Sequence, residues 1–309
     1  MRVFRGTRIA AHSPIALTIG NFDGVHLGHQ AMLQCLREAA LRHDIPATIL
    51  TFEPHPREFF SPNDAPARLT ALREKLELFQ AHGVDQVYVA RFDRAYASMP
   101  PSQFIEELLV KNLKIRWLLV GDDFRFGAQR GGDISLLRQA SERFGFALES
   151  IGSIEVAGER VSSTGVREAL AKADFARATR LLGRPYCISG HVAHGKKLGR
   201  ELGFPTANIA LKRKRVPLSG IYAVKLCGIE AKPLPAVASL GVRPTVMDDA
   251  APVLEIHVLD FNQNIYGRRV SVEFLHKLRD EEKYPDLESL RRQIAIDVEN
   301  ARTYLNSIL

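Results

Sequence analysis

Two histidines stand three residues apart in Gly20-Asn-Phe-Asp-Gly-Val-His-Leu-Gly-His29, where a short apolar run, 15–19, gives way to a long helical pattern, 28–42. His26 and His29 are thus about one helical turn apart and can face one ligand. Backbone N–H groups and the dipole at a helix N-terminus favour an anion, and two imidazoles add hydrogen bonds to a phosphate whose charge grows in a transition state. A helix-capping pair and a metal-ligand pair are the competing readings, although a metal wants further ligands and no obvious set is nearby. A second anion cradle lies in Ser162-Ser163-Thr164-Gly-Val-Arg167, with three hydroxyls at a helix start and an arginine one turn inside it. Ordinary N-capping is the alternative for those hydroxyls.

The C-terminal half carries different chemistry. Gly190-His-Val-Ala-His-Gly195-Lys196 has the outline of a P-loop, but Lys197 stands where a Mg²⁺-binding Ser or Thr is required and no helix pattern follows. The continuation, Gly199-Arg200-Glu-Leu-Gly-Phe-Pro-Thr206-Ala-Asn208, is more informative. In an extended segment Thr206 and Asn208 fall on one side and offer hard oxygen ligands, which suits Mg²⁺ held partly by nucleotide phosphates. A plain turn is the rival for Pro-Thr-Ala-Asn. The glycines before it let backbone amides approach phosphate. Farther on, Leu254-Glu255-Ile-His257 places a carboxylate and an imidazole on one strand face. Phosphoryl transfer to a hydroxyl needs a group that accepts its proton, and a carboxylate on a strand is held rigidly.

Hydrophobic patterning supplies the elements that must position these groups. Apolar runs at 47–52, 87–90 and 117–120, separated by helical patterns near 70–82 and 102–113, follow the run at 15–19. Alternating strands and helices imply right-handed βαβ crossovers and a parallel sheet covered on both faces. Ligands bind beyond the carboxyl ends of such strands, so segments 20–29, 52–56 and 121–132 should converge on one crevice. After helices at 164–172 and 175–182 the pattern changes at Gly183-Arg-Pro185. Short β-rich runs at 186–189, 221–227, 236–240, 254–259 and 270–275 then suggest a small antiparallel barrel. Apolar residues at 287, 290, 294, 298, 301 and 305 mark one face of a closing helix. The expected domains are 1–183 and 184–309.

Composition bounds what these sites serve. With 46% hydrophobic and 25% charged residues in 309, the chain reads as globular throughout and long enough for two domains. The net charge of +7 suits nucleic acid, a membrane surface or a small polyanion such as ATP. The densest basic run, Lys212-Arg-Lys-Arg215, has no interleaved aromatics, which argues against nucleic acid. No apolar leader or membrane-length run appears, so a cytoplasmic protein without a membrane partner is expected. Cys35, Cys187 and Cys227 are scattered and odd in number, which fits packing rather than a disulfide framework.

The His-x-Gly-His at 26–29 is similar to the signature of nucleotidylyltransferases. Together with Thr51-Phe-Glu-Pro-His-Pro56, Val120-Gly-Asp-Asp-Phe-Arg-Phe-Gly127 and the 162–167 run, it resembles the FMN adenylyltransferase module of the bacterial bifunctional riboflavin kinase/FAD synthetase family. The resemblance implies an N-terminal Rossmann-like α/β domain. It gives phosphate-side roles to Gly20, Phe22, Asp23, His26, Gly28 and His29, and ATP-side roles to Ser162, Ser163, Thr164 and Arg167. It lines a flavin crevice with Phe52, Pro54, His55, Asp123, Phe124, Arg125 and Phe126. Gly165 stands where the family commonly has arginine, so one phosphate contact is either missing or supplied by Arg160.

The run from His194 to Asn208, Gly241-Val-Arg243-Pro-Thr245, Leu254-Glu-Ile-His-Val-Leu-Asp-Phe261 and Tyr266-Gly267 resemble the riboflavin kinase module, so essentially the whole chain is covered. This implies nucleotide contacts from Gly195, Lys196, Gly199 and Arg200, Mg²⁺ at Thr206 and Asn208, a flavin contact from Arg243, and Glu255 as catalytic base, with His257 packing or orienting. Ser239 and Val246 stand where Asn and Phe are common. The implied function is ATP-dependent phosphorylation of riboflavin to FMN, then adenylylation of FMN to FAD with release of pyrophosphate. Flavins are substrate and product, and flavoenzyme apoproteins are the FAD acceptors. Two other readings stand beside it: a single nucleotidylyltransferase acting on another acceptor, and a nucleic-acid-binding regulator built on the basic barrel.

Overall fold

The computed structural model describes residues 1–7, 9–195, 199, 202–242 and 252–308. The chain divides into two compact units, Met1–Pro66 with Leu72–Ser162, and Ala67–Ala71 with Ser163–Leu309.

In the first unit, strands β1 (Arg2–Gly6), β2 (Ile15–Ile19), β3 (Ala47–Glu53), β4 (Gln86–Arg91), β5 (Ile115–Gly121) and β6 (Ala147–Ile151) form one parallel sheet in the order β1-β4-β3-β2-β5-β6. The central strands are apolar on both faces because helices cover both. Ile15, Leu17, Ile19, Leu118 and Val120 join Phe104, Leu108 and Leu137 in one core. Ala16, Ile49, Val87, Trp117 and Leu119 face the other, with Leu33, Leu36 and Phe79. Each fully buried Leu, Ile or Phe contributes about 1.5–3 kcal/mol. The helix at 102–113 is built differently from expectation: Pro101–Gln103 is a short α-turn and Phe104–Asn112 widens into a π-helix, while Phe104, Ile105, Leu108 and Leu109 still bury the sheet-facing side. A two-stranded hairpin, β7 (Glu155–Val156) and β8 (Glu159–Arg160), follows β6.

β2 has β3 on one side and β5 on the other, so the chain reverses its winding direction there. Such a switch point opens a crevice at the strands' carboxyl ends.

In the second unit, β9 (Cys187–Ala193), β10 (Ala207–Ile209), β11 (Gly220–Cys227), β12 (Leu234–Val242), β13 (Pro252–Val258) and β14 (Arg269–Arg279) close into an antiparallel barrel, β10-β13-β12-β11-β14-β9. Strand β13 alternates buried and half-buried residues, with Leu254 and Ile256 fully buried and Glu255 and His257 on the opposite face. The helix Leu287–Ser307 starts at Asp286, whose carboxylate accepts from the Ser289 amide, and Ala301 and Leu305 bury against Ile221 and Val237. The helices Ser163–Ala171 and Phe175–Leu182 pack within this unit. Phe175 lies edge-on to Tyr222 at 5.9 Å and parallel to Phe274 at 6.4 Å. The segment Ala67–Ala71 is strapped into the same unit. The Leu69 carbonyl accepts from the Tyr186 hydroxyl at 3.2 Å and from Arg213 Nη1 at 2.9 Å, and the Ala67 carbonyl accepts from Arg167 Nε at 2.7 Å.

Candidate active sites

At the end of β2 the chain runs through Gly20–Val25 into the helix Leu27–His43, and His26 is the N-cap. Its Nδ1 accepts the His29 amide at 3.3 Å, so the capping reading is realised in the structure. The capping leaves Nε2 as the protonated nitrogen of a neutral His26 ring. The His26 and His29 rings stack at 3.6 Å with a 15° tilt. Gly28 permits this approach, since a Cβ there would meet the His26 ring at 3.2 Å. Among the described residues, His29 Nδ1 is shielded from solvent and has no hydrogen-bond partner. Burial first, then His26, then Lys75 hold the His29 imidazole well below its ordinary value, so the ring is neutral at pH 7. A neutral His29 acts as a hydrogen-bond donor rather than as a charge. Phe22 is buried against Phe79 and His29, at 5.4 and 5.1 Å, and Asp23 is buried beside it.

The three strand-end segments do converge. A cavity of about 340 Å³ is lined by Gly20 and Asn21 after β2, Phe52 and Pro56 at the end of β3, and Asp123, Phe124, Arg125, Phe126 and Gly127 after β5. Pro54 is exposed, and His55 caps the short helix Pro56–Phe60, accepting the Arg57 amide at 3.1 Å. Arg160 pairs with Asp123 at 3.2 Å on an exposed surface. Sequence reasoning missed Phe92, Tyr96 and Phe104 in the lining. Phe92 directly follows β4, so the strand-end rule was signal enough to find it. Ser162 closes the first unit, while Ser163, Thr164 and Arg167 stand on the first turns of the helix Ser163–Ala171 in the second.

In the barrel, Glu255 lies between two cross-strand partners, Asn208 on β10 and Ser239 on β12. His257 on the same face engages the Pro205 carbonyl through Nδ1 at 2.9 Å and meets the Phe204 ring edge-on at 5.6 Å. Thr206, Ser239, Glu255 and His257 line a cavity of about 240 Å³ whose opposite wall is the terminal helix, through Leu290, Ile294 and Val298. A second cavity of about 430 Å³, lined by Asn262–Tyr266 residues, shares Thr206. Gly195 packs directly on the Asn208 amide, where a Cβ would overlap it, and Gly199 lines the Glu255 cavity. Lys196, Arg200, Arg243 and Val246 lie outside the described residues. Arg279, Glu281 and Tyr284, which no motif marked, complete the wall.

The FAD synthetase family profile matches residues 8–165, and the riboflavin kinase profile matches 182–305. The bifunctional riboflavin kinase/FMN adenylyltransferase of Escherichia coli is 47% identical over 307 residues, covering 98% of each chain. That of Haemophilus influenzae is 49% identical over 292 residues, covering 94% of each. The chain belongs to the bifunctional riboflavin kinase/FMN adenylyltransferase family.

Members of this family unite a kinase and a nucleotidyltransferase in one chain, and both domains are present here in full-length register. A solved structure described as a macrolide-efflux protein from Streptococcus pneumoniae shares the fold along its length, with a TM-score of 0.81 at 28% identity over 98% of this chain and 99% of that one. Among the described residues no helix is long and apolar enough to cross a membrane.

Proposed function

We propose that the two activities of this bifunctional enzyme run at the two sites above, with riboflavin phosphorylated at the Glu255 cavity and FMN adenylylated at the β2/β5 switch point. The observation that carries the reading is Glu255 in one cavity wall with the hydroxyls of Thr206 and Ser239, its cross-strand partners being Asn208 and Ser239. Glu255 accepts the proton of the riboflavin primary hydroxyl as that oxygen bonds to the γ-phosphorus of ATP and ADP leaves. The cavity shared through Thr206 takes the nucleotide, with Gly195, Lys196, Gly199 and Arg200 at its phosphates and Arg243 at the flavin.

Thr206 and Asn208 fit Mg²⁺. They are hard and uncharged, and no group of three His, Cys, Asp or Glu exists among the described residues to form an all-protein cage. That donor set suits an ion that keeps waters and shares substrate phosphates, whose charge it would neutralise.

At the switch point, the FMN phosphate attacks the α-phosphorus of ATP and pyrophosphate leaves. His26 and His29 donate hydrogen bonds to phosphate oxygens as charge develops, with Gly20, Phe22, Asp23 and Gly28 shaping the approach. The aromatic cavity of Phe52, Phe124 and Phe126, with Asp123 and Arg125 in its lining, receives the isoalloxazine, and Pro54 and His55, in the segment between the lining residues Phe52 and Pro56, serve the flavin. Ser162, Ser163, Thr164 and Arg167 serve ATP. We place the division between the activities at 183/184, the enzyme in the cytoplasm, and flavoenzyme apoproteins as recipients of its FAD. Free thiols at Cys35, Cys187 and Cys227 fit a reducing compartment. The test is chromatography of purified protein given riboflavin, ATP and Mg²⁺. FMN appears first and FAD follows, and absence of both removes the proposal.

A further inference from the structure

We propose that Lys75, which lies outside every motif singled out from the sequence, is a positioning residue for adenylyl transfer, its ammonium group fixing the loop that carries His26 and His29. The inference rests on the histidine assignment made above. Lys75 sits on the helix Leu72–Ala81 and is only 3% exposed, an unusual place for a lysine unless the charge is engaged. Its Nζ donates to the Asn21 carbonyl at 3.1 Å, across 54 residues of sequence.

The loop it reaches needs such a hold. Phe22, Gly24 and Val25 adopt left-handed backbone, with φ of 51°, 85° and 42°. Two of the three carry side chains that disfavour this region, and such conformations persist only where the surroundings over-determine them. The Leu72–Ala81 helix supplies two of the restraints from one face, because Phe79 stands four residues after Lys75 and packs edge-on against Phe22 at 5.4 Å. On the loop's other side Gln30 Nε2 donates to the Val25 carbonyl at 2.9 Å. Asn21 is also part of the flavin-side cavity wall, so one lysine restrains a loop with the cavity at one end and the histidine pair at the other.

The charge of Lys75 has a second consequence. The groups acting on the His29 ring are the stacked His26 and this ammonium, and both oppose its protonation in an already buried setting. A methionine at 75 would fill the space while releasing the carbonyl and removing the cation. A glutamine would keep a donor without the charge, and an arginine would keep the charge in a different shape.

The test uses full-length K75M, K75Q and K75R, measuring FAD formation from FMN and ATP across pH, FMN formation from riboflavin as a control, and thermal unfolding. K75M should lose on the order of 10²-fold in adenylyl transfer, the scale of a small misplacement of catalytic groups. Its acidic limb should move to higher pH, because losing the cation eases protonation of His29, and K75R should return the limb toward that of the parent. K75Q should move the limb as K75M does, and an unmoved limb in K75Q overturns the proposal even where K75M cannot be purified. A rate loss that only tracks lost stability, with the limb in place, overturns it as well. If H29A keeps adenylyl transfer, the histidine assignment itself fails. If H29A is inactive while the Lys75 variants behave like the parent, only the role of Lys75 falls.

Discussion

The Nδ1–H of His257 donates to the Pro205 carbonyl at 2.9 Å, so strand β13 braces the segment that ends in Thr206 from a position two residues beyond Glu255. A carbonyl only accepts, which places a proton on Nδ1, and with Glu255 as the proposed base His257 would orient this segment. Glu255→Gln should therefore lower kcat for FMN formation by roughly 10²–10⁴ with little change in KM for riboflavin, the pattern of an interaction made in the transition state. His257→Ala should raise KM or lower Tm first. Steady-state kinetics of both variants decide it, and near-normal turnover in Glu255→Gln beside an inactive His257 variant would move the base to His257.

Fragments of the second unit should differ in stability according to whether they keep residues 163–183. Ala178, Leu181 and Leu182 are buried, and Phe175 covers Tyr222 and Phe274. A fragment Ser163–Leu309 should phosphorylate riboflavin and melt at least about 5 °C above a fragment starting at residue 184, since each lost buried side chain costs about 1.5–3 kcal/mol. Calorimetry of the two reads this directly, and equal melting temperatures would show that the two helices contribute nothing to the barrel.

Arg279 and Asp297 form a two-armed ion pair, with both N–O distances 2.8 Å and Asp297 only 4% exposed at its side chain. The carboxylate is also the main reason the guanidinium is held more firmly protonated than usual. Asp297→Ala strands that cation beside the Glu255 cavity and should cost about 3–5 kcal/mol in denaturant unfolding of the barrel. FAD formation from added FMN should persist under native conditions. A loss under about 1 kcal/mol would place this pair with ordinary surface pairs.

The central strands of the sheet were legible because β2, β3, β4 and β5 are largely buried on both faces and read as mostly apolar runs. β1 and β6 were not, since each is an edge strand whose polar residues, Arg2, Arg5, Glu149 and Ser150, face water and break the pattern. β10 has three residues and sits inside the Thr206–Asn208 motif, which announces chemistry more loudly than structure. Helical periodicity shows that Phe175, Leu181 and Leu182 bury a face, and not which core receives it. In the crevice, the strand-end rule drew segments 20–29, 52–56 and 121–132 together correctly. Tyr96 escaped because its helix, Arg94–Ala97, is too short for a periodic signal, and Lys75 escaped because Lys75 and Phe79 read as an ordinary amphipathic turn.

The separation of the two sites is tested most directly by mixing two full-length variants, each impaired at one site. His29→Ala should cut FAD formation by about 10²–10³ while FMN accumulates, as expected when one phosphate-stabilising donor is removed. Glu255→Gln should make FAD only when FMN is supplied. Incubated together with riboflavin, ATP and Mg²⁺, the two variants should restore FAD synthesis, the first providing FMN and the second adenylylating it. If either well-folded variant alone loses both activities, or the mixture yields no FAD, the two chemistries do not reside at the separate sites centred on His29 and Glu255.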